Sequence, residues 1–234
     1  PYVLLNHNDT VNSMFTLAHE MGHALHSYYS DSNQSYINAG YKIFVAEVAS
    51  TCNESLLIHY LLKNTDNKAE KAYLINHFLE QFKGTLYRQT MFAEFEKITH
   101  KMVEEGETLT SDILCKVYYD LNKQYFGEDM VLDEEIALEW ARIPHFYNPF
   151  YVYQYATGIS AAIALSKKIM EQGEAGVKDY MKFLTGGGSK DPIDLLKLAG
   201  VDMTTKEPIE KALELFKELL DQMEQSFLSI DTNA

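Results

Sequence analysis

The chain has 234 residues, enough to bury a sizeable core as one large domain or two small ones. Its 20 Lys and Arg face 34 Asp and Glu, a formal net charge of −14, which argues against nucleic-acid binding and favours neutral or cationic ligands. Hydrophobic residues at 46% and charged residues at 23% are ordinary for a globular protein in water, and no run approaches the roughly 20 apolar residues that span a bilayer.

The chain opens on Pro1-Tyr2-Val3-Leu4-Leu5, read as a strand without an initiator Met, so the sequence is expected to be a fragment of a longer protein. Helical periodicity dominates from there. Asp9 or Thr10 is placed to cap a helix running to about Tyr29. After an Asn-rich turn, Phe44, Val48, Leu56 and Tyr60 recur at helical spacing over a helix from Lys42 to Lys63. Lys68 to Glu104 reads as one long amphipathic helix, kinked at Gly84. Thr110 or Ser111 starts another helix ending near Gly127, and Asp133-Glu134-Glu135 supplies the acidic first turn of the next. A Pro- and Tyr-rich piece from Ile143 to Tyr155 leads into a helix to about Gln172, and Lys206 to Phe227 closes the chain. The run Gly186-Gly187-Gly188 is either a mobile loop or a helix C-cap and turn. The fold class is therefore mainly α, a multi-helix and zincin-like domain over residues 1–234, with at most a short strand near the N-terminus. Two cysteines, Cys52 and Cys115, fall in helical contexts and predict reduced thiols in a cytoplasmic protein.

His19-Glu20-Met21-Gly22-His23 matches H-E-x-x-H inside a predicted helix. Residues four apart on a helix lie one above the other, so both imidazoles can reach a single ion. Glu20 lies about 100° round from His19, beside the ion rather than on it, where a carboxylate can move a proton between water and a leaving amine. A catalytic zinc site takes three protein ligands. A third histidine in H-x-x-G-x-x-H would need Gly at position 26, and His26 stands there. Glu47, amid Phe44-Val45-Ala46-Glu47-Val48-Ala49-Ser50 on the next helix, is either the third ligand or a buried hydrogen-bonded acid. Glu54, seven residues on, shares its face and is either a group that orients a ligand histidine or a surface acid. His7, His59, His77 and His100 lack spaced partners and read as structural. Two imidazoles and a carboxylate suit zinc, a site that cobalt or manganese also fits.

The stretch from His19 to His26, with Phe44-Val45-Ala46-Glu47, resembles the thimet oligopeptidase and oligoendopeptidase F family of zinc peptidases, nearest its oligoendopeptidase F branch. Tyr87 to Glu96, Arg142 to Tyr147 and Gly187-Gly188-Ser189 add to the likeness. The resemblance covers almost all of this chain but only the C-terminal part of a family member. It implies a mostly helical fold with a substrate channel, one zinc, and cleavage of short peptides. It also assigns His145, Tyr147 and Tyr153 as donors to the oxyanion of the tetrahedral intermediate, whereas the residues alone equally fit an aromatic core segment. The expected function is a zinc-dependent endopeptidase. A zinc-holding or peptide-binding module that does not turn over, and a carboxypeptidase or dipeptidase of similar design, are the alternatives. No cluster that would clamp a terminal carboxylate is visible, which favours internal cleavage. The sequence carries no signal for oligomeric state.

Overall fold

The structure, a computed structural model, describes residues 1–231, with side chains described through residue 226. Its regular structure is all helical, and no strand occurs among the described residues. The expected opening strand is absent: residues 1–8 carry no regular structure. A lone strand leaves its N–H and C=O groups unpaired, and no strand among the described residues pairs with it.

The chain divides into two compact units, Pro1–Phe82 with Thr157–Ala234, and Lys83–Ala156. In the first, α1 (Val11–Asn33) starts where the Thr10 hydroxyl accepts the Ser13 N–H at 3.2 Å. It is followed by α2 (Tyr36–Ala39), a 3-10 turn (Ile43–Val45), α3 (Ala46–Asn64) and α4 (Lys68–Gln81). The Asn67 side chain caps α4 by accepting the Ala69 N–H at 2.9 Å. This unit resumes with most of a helix beginning in the second unit, and then α8 (Glu174–Leu184), α9 (Pro192–Leu198) and α10 (Glu207–Asp231). Its core joins Val45, Val48, Ala49 and Cys52 to Ala161, Leu165, Phe183, Leu195 and Leu196. Burying side chains such as Phe183 and Leu196 contributes on the order of 2 kcal/mol each.

The helical run expected over 68–104 is unbroken, and its irregularity falls at the expected place: a π-helical turn over Phe82–Tyr87, containing Gly84, separates α4 from α5 (Arg88–Glu104). The second unit adds α6 (Ser111–Phe126), capped by Thr110, and 3-10 segments at Glu134–Arg142 and Pro144–Tyr147. Its core gathers Met91, Phe92 and Phe95 with Tyr118, Leu121, Ile143 and Val152. Tyr118 donates its O–H to Glu139 at 2.6 Å, and Arg88 and Arg142 pair with the same carboxylate. Helix α7 (Tyr153–Gln172) begins here and continues into the first unit.

Candidate metal centre

The histidines of the H-E-x-x-H motif sit mid-helix on α1, and Glu47 opens the first turn of α3. What brings them together is Gly22. A Cβ at that position would lie 2.5 Å from the Ser50 Cα and 2.8 Å from the Ala49 carbonyl oxygen. Only a residue without a side chain lets α1 and α3 touch backbone to backbone there. Asn53 fastens the same contact, donating its amide to the Ala18 carbonyl at 2.7 Å.

The ligand atoms converge as a result. His19 Nε2 and His23 Nε2 stand 3.2 Å apart, and Glu47 Oε2 lies 3.2 Å from the first and 3.5 Å from the second. With zinc–ligand bonds of about 2.0–2.1 Å, two corners of a tetrahedron are about 3.3–3.4 Å apart. The three atoms thus already form one face of such a tetrahedron, and the donor set fits a divalent ion. All three residues are half-buried.

His19 is held from both sides. Its Nδ1 donates to Glu54, whose other oxygen accepts from the Gln81 amide of α4. A proton committed to Nδ1 leaves the Nε2 lone pair for the metal, the usual arrangement behind a ligand histidine. Glu54 is thereby the orienting acid, and Gln81 is a further link that no spacing in the sequence reveals. Burial works to lower the His19 pKa, but hydrogen bonds to Glu47 and Glu54 outweigh it and push the pKa up to about 10. Those to His19 and His23 hold the Glu47 carboxyl well below the usual range, against the opposing effect of burial.

Glu20 follows His19 on α1 and is half-buried. His26 serves packing: its ring stacks on Tyr41 at 3.8 Å and lies 4.9 Å from Phe183, with neither nitrogen hydrogen-bonded among the described residues. Of the four histidines read as structural, three are so placed, and His7 is exposed in the irregular opening segment. His59 and His100 donate Nδ1 to backbone carbonyls one turn earlier, at 2.7 Å each, and His77 packs on Phe15. The glycine run is a turn rather than a loose loop. Gly188 donates its N–H to the Asn38 carbonyl at 2.7 Å, and a Cβ on Gly187 (φ +52) would meet that oxygen at 2.3 Å.

His145, Tyr147 and Tyr153 belong to the second unit. The partners of His145 there are two tyrosines that the sequence reading passed over. Tyr155 Oη shares a hydrogen bond with His145 Nε2 at 3.2 Å, and the Tyr151 ring stacks beside the imidazole at 5.5 Å. Tyr147 is 85% exposed and Tyr153, the first residue of α7, is 40% exposed, so neither is an aromatic core residue.

A model of peptidase family M3 matches residues 1–215. The chain belongs to peptidase family M3. Oligopeptidase PepF of Bacillus subtilis is 56% identical to this M3 chain over 230 residues, covering 98% of it and 34% of that protein. An oligoendopeptidase F homolog of Borreliella burgdorferi is 46% identical over 228 residues, covering 97% and 39%. The crystal structure of oligoendopeptidase-F from Enterococcus faecium superposes with a TM-score of 0.83 at 45% identity, over 93% of the M3 chain and 39% of that one. The chain thus spans between a third and two-fifths of the length of these relatives. M3 peptidases are metallopeptidases, which agrees with the donor set on α1 and α3. No helix among the described residues is long and apolar enough to cross a membrane.

Proposed function

We propose that this chain is the metal-binding catalytic part of a zinc-dependent endopeptidase that hydrolyses short peptides. The observation that carries the reading is the convergence of His19, His23 and Glu47 on one tetrahedral face, with Glu54 and Gln81 orienting His19.

His19 Nε2, His23 Nε2 and Glu47 Oε2 would hold the ion, which would supply Lewis acidity toward a water and a carbonyl oxygen. Glu20 accepts one proton of the attacking water on its carboxylate and delivers it to the nitrogen of the leaving amine, so one peptide bond and one water become a carboxylic acid and an amine. His145, Tyr147 and Tyr153 donate hydrogen bonds to the oxygen that gains charge as water adds; family membership supports this role, and so does the exposure of both tyrosines. The substrates are short peptides, a reading supported by the relatives' being an oligopeptidase and an oligoendopeptidase homolog, and the two free thiols support a cytoplasmic setting.

The test is hydrolysis of an internally quenched, terminally blocked peptide, with metal content read on the same sample before and after chelation. Cleavage lost to the chelator and restored by zinc is expected. Cleavage that survives removal of the metal would overturn the reading. One zinc per chain without cleavage would favour a metal-holding module, the reading that the partial span of the relatives keeps open.

A further inference from the structure

Glu96 is a buried acid on α5 to which nothing above gives a task. It is 3% exposed, next to core residue Phe95, and its Oε2 has no hydrogen-bond partner among the described residues. An unpaired buried polar atom costs on the order of 1–3 kcal/mol. Burial holds the carboxyl above its usual range, and the hydrogen bond it accepts from the Phe150 amide opposes that rise. An acid kept in such a place does something an apolar residue cannot.

What it does is visible at Oε1, which accepts the Phe150 backbone N–H at 2.9 Å. Phe150 has a φ of +60, the sole positive value at a non-glycine among the described residues. A bulky side chain in the left-handed region costs on the order of 1–3 kcal/mol and persists only where its surroundings impose it. Those surroundings lead back to Glu96 twice. The His100 ring packs on Phe150 at 4.7 Å, and His100 Nδ1 donates to the Glu96 carbonyl at 2.7 Å.

The turn held this way lies between Tyr147 on one side and Tyr151 and Tyr153 on the other. Beyond it Val152 is fully buried in the core of the second unit, and before it Phe146 packs against Phe92 and Phe95. Core packing thus fixes the flanks, and the conformation of Phe150 sets the path between them. Relaxing φ to the ordinary negative range would redirect the backbone on which the tyrosines are mounted.

We propose that Glu96 is a positioning residue for the peptidase reaction: its carboxyl imposes the left-handed turn at Phe150 and so aims Tyr147, Tyr151 and Tyr153. This inference rests on the reading of the segment from His145 to Tyr153 as the source of oxyanion donors.

The experiment compares Glu96→Ala, Glu96→Gln and Phe150→Pro in the full chain loaded with zinc, reading kcat, KM, bound metal and amide exchange over residues 147–153. Ala removes the acceptor. Gln keeps a carbonyl oxygen there. Pro removes the N–H from the half-exposed side of the same bond and forbids a positive φ, so the bond is tested even if Glu96→Ala does not fold. Expected are a loss of kcat of about 10- to 100-fold in Glu96→Ala and Phe150→Pro, with KM and bound metal unchanged, and recovery of most of kcat in Glu96→Gln. The Phe150 amide should exchange slowly in the parent and in Glu96→Gln and fast in Glu96→Ala, a readout independent of turnover. Parental kcat in Glu96→Ala or Phe150→Pro overturns the proposal, as does a Glu96→Gln variant as impaired as Glu96→Ala. His145→Gln and Tyr153→Phe separate the two failures. If both keep full turnover, the oxyanion reading itself is wrong; if they lose turnover and Glu96→Ala does not, only the role of Glu96 fails.

Discussion

Glu47 and Glu54, two helical turns apart on α3, hold opposite nitrogens of the His19 ring, Glu47 facing Nε2 at 3.2 Å and Glu54 accepting from Nδ1. One helix thus supplies a candidate metal ligand and the acid that sets the tautomer of another. Removing the orienting acid frees the ring to rotate and lowers the basicity of Nε2. Glu54→Ala is expected to weaken zinc binding about 10- to 100-fold, read by competition with a chromogenic chelator. Glu47→Ala should weaken it further, because it removes a ligand outright. Equal zinc affinity in Glu54→Ala and the parent would show that packing alone orients His19.

Glu20 touches the chemistry and not the metal in the proposed mechanism. Glu20→Gln is expected to retain zinc in full while turnover drops by about 10² to 10⁴, since the amide can neither take nor return a proton. Metal analysis alongside peptide hydrolysis reads both quantities. Hydrolysis at the parental rate would remove Glu20 from the mechanism.

The close approach at Gly22 makes a sharp steric prediction. Gly22→Ala places a methyl 2.5 Å from the Ser50 Cα, so α1 and α3 must separate. The expected outcome is a loss of about 1–3 kcal/mol in stability, together with weaker zinc binding as the two sets of ligands part. Gly84→Ala is the control, because a Cβ there meets nothing within 4 Å. Its effect on the melting temperature should be neutral or favourable.

His26 supplies a pH dependence. Burial, with the nearby His23 adding to it, lowers its pKa from 6.5 to about 4. The unfolded chain therefore binds this proton more readily than the folded one, so the stability tied to a neutral His26 is complete above pH 6.5 and is lost as pH falls toward 4. The full loss is about 3 kcal/mol, one proton taken over that interval. Denaturant unfolding of the parent and of His26→Phe, both metal-free, isolates it as the difference between the two pH curves. Parallel curves would mean that the imidazole is solvated in the native state.

Much of the site was legible along the chain, because its signals are local. The four-residue step from His19 to His23 is one helical turn, and a helix is dictated by nearby residues, so both candidate ligands and the place of Glu20 follow from spacing alone. Glu47 was visible as an acid within an apolar run, and Glu54 as its neighbour two turns on, each with an ordinary alternative that the sequence could not dismiss. Of the cap candidates the sequence offers, Asp9 or Thr10 and Thr110 or Ser111, the structure uses the threonine each time, a local choice in which a hydroxyl reaches an N–H three residues on.

Tertiary structure decided the remainder, wherever the deciding partner is distant in sequence. Gly22 is an unremarked residue of the motif until Ser50 arrives against it, and Gln81 matters only because α4 brings its amide to Glu54. The expected strand at residues 1–5 has the right residues and no partner, and a strand without one has nowhere to place its hydrogen bonds. Glu96 and Phe150, 54 residues apart, carry no joint pattern, yet one hydrogen bond between them maintains a backbone conformation that Phe150 would not adopt by itself. Periodicity and residue chemistry determine which helices form and which side chains can bind an ion. Which backbones touch, and which distant atom completes each hydrogen bond, is decided only when the helices pack.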